Sequence, residues 1–145
     1  VPLYTRRKSV VVFGASGHAK VVLDILHRSG SFEIIGLLDN YKPIGTLCTG
    51  HLVVGGLGDL PELRKRHDSL GAVVAIGDNW IRARIVREIQ DRCQEIDFVR
   101  AVHPSAEIAA DVEVGAGTVV MAGAIVNPGA KIGEFCILNT RASLD

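Results

Sequence analysis

Val114-Gly115-Ala116-Gly117-Thr118-Val119-Val120-Met121-Ala122-Gly123-Ala124-Ile125-Val126 carries the pattern that decides the fold. Its aliphatic residues Val114, Val120 and Val126 are six apart. The same beat runs outward in both directions, back to Ile108 and Val102 and on to Ile132, Leu138 and Leu144. Two positions before each later beat stands a small or β-branched residue: Ala106, Val112, Thr118, Ala124, Ala130, Cys136 and Ala142. A period of six is neither the 3.6 of an amphipathic helix nor the simple alternation of a strand. It fits a three-sided coil in which each hexad gives one short strand and one turn, with the aliphatic pointing inward. Stacked coils share one continuous core. Gly115 and Gly133 follow beats, and glycine there suits turn angles that other residues resist. The expected fold is a left-handed parallel β-helix over 102–145, incomplete at a little over two coils.

The first hundred residues follow another rule. Ser9 to Phe13 is a continuous apolar, β-branched run, as expected of a parallel strand buried on both faces. Gly14-Ala15-Ser16-Gly17-His18 follows, then a helical pattern from Ala19 to Leu26 closed by Ser29-Gly30. Phe32 to Leu38 reads as a second strand, ending at Asp39-Asn40. A short strand is expected at Leu52 to Val54, and a helix from Asp59, as its cap, to His67. Ala72 to Ile76 reads as another buried strand, leading through Gly77-Asp78-Asn79 into a helix with Ile81, Ile85 and Ile89 on one face and Arg82, Arg84 and Arg87 largely on others. Phe98 to Val102 reads as a last short strand. The class is α/β: a small Rossmann-like parallel-sheet domain at 1–101, then the coil at 102–145.

Twice, a strand runs through glycine into a helix. Such turns leave backbone N–H groups at the helix start, where phosphate is favoured. A carboxylate at the end of the second strand suits a ribose or a base. Gly14, Ser16, Gly17, Asp39, Gly77 and Asn79 are therefore candidates to line a nucleotide cleft. Arg82 is either a phosphate contact or a solvated helix arginine. The dinucleotide fingerprint asks for three glycines; here Ser16 and Ala19 occupy two of those positions, which counts against a redox NAD domain. A merely structural tight turn remains the bland alternative.

Composition narrows the function further. The chain has 145 residues, 48% hydrophobic, with Lys plus Arg equal to Asp plus Glu at 16 each. That balance is unlike a nucleic-acid binder. The basic run Tyr4 to Lys8 reads as a solvated lead-in to a strand. No apolar run reaches membrane-spanning length, so a cytoplasmic setting is expected. Cys48, Cys93 and Cys136 lack metal-ligand spacing, and Cys136 falls in an inward small slot, so reduced packing thiols and no metal are expected. His27 and His67 fit helix ends.

The glycine turn Gly14-Ala15-Ser16-Gly17-His18, the Ala75-Ile76-Gly77-Asp78-Asn79 segment and the hexads, in that order, resemble the sugar acyltransferases of the sialic acid O-acetyltransferase type. These include bacterial enzymes that N-acetylate a UDP-linked 4-amino-4,6-dideoxy sugar for surface glycans. The resemblance implies a homotrimer that transfers acetyl from acetyl-CoA to an amino or hydroxyl group of a UDP-sugar or sialic-acid-type acceptor. It implies that Gly14, Ser16, Gly17 and His18 border the phosphates, that Asp39 and Asn40 sit by the base and ribose, and that Gly77 and Asn79 line the same cleft. It places Asn139 beside the acceptor and Asp145 next to a base histidine expected at the following position. The 145-residue piece alone is accordingly expected to be inactive in acetyl transfer. A non-catalytic nucleotide-sugar-binding module is the alternative.

Overall fold

The strand Lys8–Phe13 (β1) is the centre of the N-terminal sheet, because its residues are apolar on both faces. Val10 and Val12 pack into one core and Val11 and Phe13 into the other, the period-two division of a strand covered on both sides. The computed structural model describes residues 6–145; residues 1–5, including Tyr4 and Thr5 of the basic lead-in, lie outside the described residues, and Arg6 and Arg7 are exposed. The helix Gly17–Ser29 (α1) follows, ended by Gly30 in the left-handed conformation with its N–H on the His27 carbonyl. Phe32–Leu38 (β2) agrees with its sequence expectation. Leu47–Cys48 (β3) and His51–Gly55 (β4) form a hairpin that extends beyond the single strand expected there.

The second helix differs from expectation at its start. Leu57–Asp59 is a 3-10 turn and the α-helix is Leu60–Arg66 (α2). Asp59 does not cap α2 with its side chain; the carboxylate turns back to accept the Gly56 N–H at 2.8 Å. Gly71–Val74 (β5) is fully buried and leads through Ala75-Ile76-Gly77 to the helix Asn79–Arg92 (α3), capped by the Asp78 carboxylate on the Ile81 N–H at 2.9 Å. Asp97–Phe98 (β6) closes the sheet, whose order is β3-β4-β2-β1-β5-β6, with β3 antiparallel and the rest parallel. The expected strand Phe98 to Val102 is in fact two. Phe98 pairs with Ala72 in this sheet, whereas Ala101–Val102 (β7) pairs with the coil.

The hexads form Glu107–Ile108 (β8), Val119–Val120 (β9), Ile125–Val126 (β10), Ile137–Leu138 (β11) and Ser143–Leu144 (β12). Their pairing is parallel throughout, and partners lie eighteen residues apart. Ala101 pairs with Val119 and Val119 with Ile137; Glu107 pairs with Ile125 and Ile125 with Ser143; Val114 bridges Ile132. Three hexads thus make one layer. The middle beats Val120, Val126 and Ile132 are buried, and the outer beats are half-buried.

The turns carry a second, unexpected period. Gly117, Gly123, Gly129, Phe135 and Arg141 all have positive φ, between 54° and 83°. Gly115 and Gly133 do not, which corrects their assignment as the strained turn positions. Gly115 is small for another reason: a Cβ there would fall 2.2 Å from the Gly133 carbonyl oxygen of the next layer. Layers are stitched at the turns, where Ser105 Oγ accepts the Gly123 N–H and Asp111 Oδ2 the Gly129 N–H. Thr118 is wholly buried in its small slot. Its hydroxyl donates to the Gly133 carbonyl at 2.8 Å and accepts the Cys136 N–H at 3.0 Å, so the burial leaves no polar atom unpaired. Cys136 is half-buried in its own slot.

Coil and sheet share their cores. Val99, Ala101, Val119 and Met121 pack with Val22 and Leu26 of α1. Phe135 packs with the α3-side core and meets Phe98 edge-on, ring centres 4.9 Å apart. Gly117 makes room for it, since a Cβ there would fall 2.4 Å from the Phe135 ring.

Candidate nucleotide-binding site

At β1 the chain order of the sheet reverses, with β2 on one side and β5 on the other. Ligands of open parallel sheets bind outside the strand ends at such a point. A cavity of about 570 Å³ lies there, lined by Gly14, Ser16, His18, Asp39, Asn40, Tyr41, Ile76, Gly77 and the α3 residues Ile81, Arg84, Ile85 and Glu88, among others.

Gly14 shapes its floor. Its φ is +112° and a Cβ would lie 2.8 Å from the Ala75 carbonyl oxygen, so β1 and β5 leave the sheet in close contact only with glycine here. Ser16 then caps α1 in extended conformation without using its hydroxyl on the helix. The first intrahelical bond runs from Lys20 N to Ser16 O, so the amides before Lys20 are the free donors of a helix start. Gly17 is exposed, and a Cβ on it would meet nothing within 4 Å. Packing does not demand glycine there, and the backbone lies open to close approach.

His18 lines the cavity but keeps Nε2 buried and without a hydrogen-bond partner. Burial, and then the Arg82 charge, hold its pKa below the ordinary histidine value. Its imidazole is therefore neutral at pH 7.

Asp39 and Asn40 are partly engaged in building the rim. Asp39 Oδ1 accepts the N–H groups of Tyr41 and Lys42 at 2.8 and 3.0 Å, an Asx turn. Asn40 Oδ1 accepts the Leu57 N–H at 2.8 Å. Lys42 spans to the glycine turn and donates from Nζ to the Ala15 carbonyl at 2.6 Å.

Three sequence expectations fail here. Gly17 is not among the residues that line the cavity, although its neighbours Ser16 and His18 are. Asn79 does not line this cavity. As the first residue of α3 it faces the coil side, and its Oδ1 accepts the Arg82 Nη2–H at 2.6 Å. Arg82 is neither a phosphate contact nor a solvated arginine. It is buried, and it donates to the carbonyls of Ile76, Gly77 and Phe135 at 3.0, 3.0 and 2.9 Å. Conversely Arg84 and Glu88 do face the cleft, because they lie three and seven residues after Ile81 and share its side of the helix. That spacing was visible in the sequence; Tyr41, next to Asp39-Asn40, was the other missed wall.

Asn139 and Asp145 are exposed on the coil and do not line the cavity. The Asn139 carbonyl closes a turn with the Ala142 N–H, and the Asp145 carboxylate accepts from the Asn127 side-chain amide. Among the described residues, no group of three or more His, Cys, Asp and Glu side chains could hold a metal ion, and no helix is long and apolar enough to cross a membrane.

The family model described as PglD N-terminal domain matches residues 9–89, the sheet and helices that build this cavity. The chain belongs to the PglD N-terminal domain family. Beyond the match, this PglD N-terminal domain and its coil are 37% identical to PerB from Caulobacter crescentus, solved with CoA and GDP-perosamine, with TM-score 0.83 over 94% of this chain and 62% of that one. A histidine-to-asparagine variant of perosamine N-acetyltransferase from Caulobacter crescentus, also solved with CoA and GDP-perosamine, is 37% identical and superposes with TM-score 0.86. The acetyltransferase domain of PglB from Neisseria gonorrhoeae, solved with acetyl coenzyme A, is 30% identical, with TM-score 0.84 over 97% of this chain and 65% of that one. UDP-N-acetylbacillosamine N-acetyltransferase of Bacillus subtilis is 31% identical over 111 residues, 76% of this chain. The chain spans about half the length of that curated relative, 50%.

Proposed function

We propose that this chain is the nucleotide-sugar-binding portion, with the first coils, of an acetyl-CoA-dependent acetyltransferase that modifies an amino or hydroxyl group of a nucleotide-activated sugar in bacterial surface glycan synthesis. The observation that carries this reading is the open N-terminus of α1 inside the switch-point cavity. In it, the free amides of the first turn and the helix dipole hold the diphosphate. Gly14, Ser16, Gly17 and His18 border that group. Asp39 and Asn40 meet ribose and base, and Gly77 leaves the opposite wall low. A free sialic-acid acceptor offers no diphosphate to α1, so a nucleotide-linked sugar is the better-supported substrate. UDP-linked and GDP-linked sugars both satisfy this argument.

The remaining features belong to the whole protein. We take 1–101 as the nucleotide unit and 102–145 as coils of a left-handed β-helix, and we place acetyl-CoA between neighbouring prisms of a homotrimer. The sugar amine or hydroxyl attacks the thioester carbonyl, a base takes its proton, the C–S bond breaks and CoA leaves as the thiolate. Donors aimed at the carbonyl oxygen stabilise the oxyanion. Asn139 and Asp145 are proposed beside the acceptor and the base. Three free cysteines suit the reducing, cytoplasmic setting of such an enzyme.

Calorimetry of the 145-residue chain with UDP, GDP, CMP and NAD tests the nucleotide half. Saturable binding of a nucleoside diphosphate, with CMP and NAD weaker, is expected. Equal or stronger binding of NAD would replace this reading with a dinucleotide site. Acetyl transfer from acetyl-CoA to a panel of nucleotide-linked amino sugars by the whole protein tests the other half.

A further inference from the structure

We propose that the cleft selects guanine as its nucleobase, with Glu88 and Arg84 reading the base edge. This rests on the nucleotide reading of the cavity. With the diphosphate at the start of α1 and the ribose by Asp39, the base lies onward in the same cavity, between the loop after β2 and the side of α3. The loop supplies Tyr41, whose side chain is held out into solvent while its backbone N–H is fixed by Asp39. Helix α3 supplies Ile81, Arg84 and Glu88. A planar base fits between an aromatic ring and an aliphatic side chain, and such a slot is indifferent to which base enters. The discrimination comes from the polar pair.

Arg84 and Glu88 are four residues apart on α3 and form only a loose ion pair, Nε to Oε1 at 3.8 Å. Both remain substantially exposed, with side chains 59% and 40% accessible, so each has bonding capacity left for a ligand. An ionised carboxylate only accepts hydrogen bonds. Guanine alone among the common bases carries two adjacent donors on one edge, the ring N1–H and the exocyclic N2 amino group, matched to the two oxygens of a carboxylate. On its other edge O6 and N7 are acceptors, the pair that arginine bonds in a fork. Uracil presents one N–H flanked by two carbonyls, which a carboxylate meets unfavourably. Cytosine and adenine each place an acceptor next to their amino group. A carboxylate and an arginine one helical turn apart thus match guanine and no other common base.

The test is equilibrium binding of GDP, UDP and inosine diphosphate to the 145-residue chain and to its Glu88→Gln variant. Inosine diphosphate is GDP without the N2 amino group. In the unmodified chain GDP is expected to bind at least about tenfold more tightly than UDP and several-fold more tightly than inosine diphosphate, the scale of one well-placed base contact. In Glu88→Gln, GDP affinity is expected to fall about tenfold, to or below that of inosine diphosphate, while UDP affinity holds or rises because no carboxylate then faces the uracil carbonyls; retained UDP binding also shows that the variant is folded. UDP binding as tightly as GDP, or a GDP preference that survives Glu88→Gln, overturns the guanine assignment and leaves the nucleotide site standing. Failure of every diphosphate to bind removes the nucleotide reading itself, and this inference with it.

Discussion

Arg82 Nε donates to the carbonyl oxygen of Phe135 at 2.9 Å and thereby ties the first turn of α3 to the second layer of the coil. The same guanidinium holds the Ile76 and Gly77 carbonyls and the Asn79 side chain. One buried cation thus fixes the end of β5, the start of α3 and a coil turn at once, so the wall of the cleft is braced from the coil.

Arg82→Met keeps the volume and removes four hydrogen bonds, leaving carbonyls unpaired. A loss of about 2–4 kcal/mol is expected, the scale of a charged hydrogen-bond group removed from a buried site. Arg82→Lys should recover little, because an ammonium cannot reproduce the fork. Urea unfolding of the three proteins measures this; full stability in Arg82→Met would show that the brace carries no load.

Gly14 and Gly17 should answer differently to the same substitution. Gly14→Ala meets the Ala75 carbonyl at positive φ, so about 1–3 kcal/mol of stability should be lost. Gly17→Ala meets no protein atom, and alanine is the better helix former, so stability should hold or rise by up to about 1 kcal/mol. Its nucleotide affinity should nevertheless fall about tenfold or more, since the new methyl stands where the diphosphate approaches. Thermal melts beside calorimetry separate the two, and unaltered nucleotide binding in Gly17→Ala would contradict the proposed phosphate position.

Acid should weaken the fold through two partly buried imidazoles. His18 and His51 both have lowered pKa values, each mainly through burial, with the charges of Arg82 and His27 respectively adding to it. His51 meets His27 Nε2 to Nε2 at 2.8 Å with the rings stacked. Unfolded imidazoles take protons near pH 6.5, whereas the folded ones resist until lower pH. Between those values the unfolded chain binds more protons, so stability is full above about pH 7 and declines on acidification through about 6.5. Denaturation midpoints between about pH 8 and pH 5.5 should show that decline, and His18→Asn with His51→Gln should flatten it. Equal slopes in both proteins would assign the decline elsewhere.

Gly117→Ala tests the aromatic joint. Its methyl would enter the Phe135 ring at a backbone angle unsuited to alanine, and a loss of about 2–4 kcal/mol is expected from overpacking and strain together. Adding Phe135→Leu should return part of it by making room. A melt of Gly117→Ala unchanged from the parent would mean that the ring moves aside freely.

The large divisions of the molecule were legible because they rest on periodicity. The continuous apolar runs at Val10 to Phe13 and Phe32 to Leu38, and the six-residue beat, each bury a face that no other arrangement hides. Gly14, Ser16, Asp39 and Gly77 were legible as lining one cavity because strand ends converge there, whereas His18 and Asn40 came only with the family resemblance. What escaped depended on rotation and long-range pairing. Arg82 and Arg84 are two residues apart on one helix, and only the tertiary position of α3 decides which faces the coil and which the cleft. Phe135 and Arg141 adopt the left-handed turn angle that the sequence would assign to glycine, because the stacked layer enforces it. The His27–His51 pair joins residues twenty-four apart, and no local pattern announces it.

The eighteen-residue pairing makes the coil behave like text in a fixed frame. Removing a single residue near Val114 would move every later aliphatic out of the core and every later turn off its left-handed position. Removing eighteen would leave the message intact, one layer shorter. Length variation in this half of the molecule is therefore quantised, whereas the sheet-borne half can lengthen a surface loop by any number of residues.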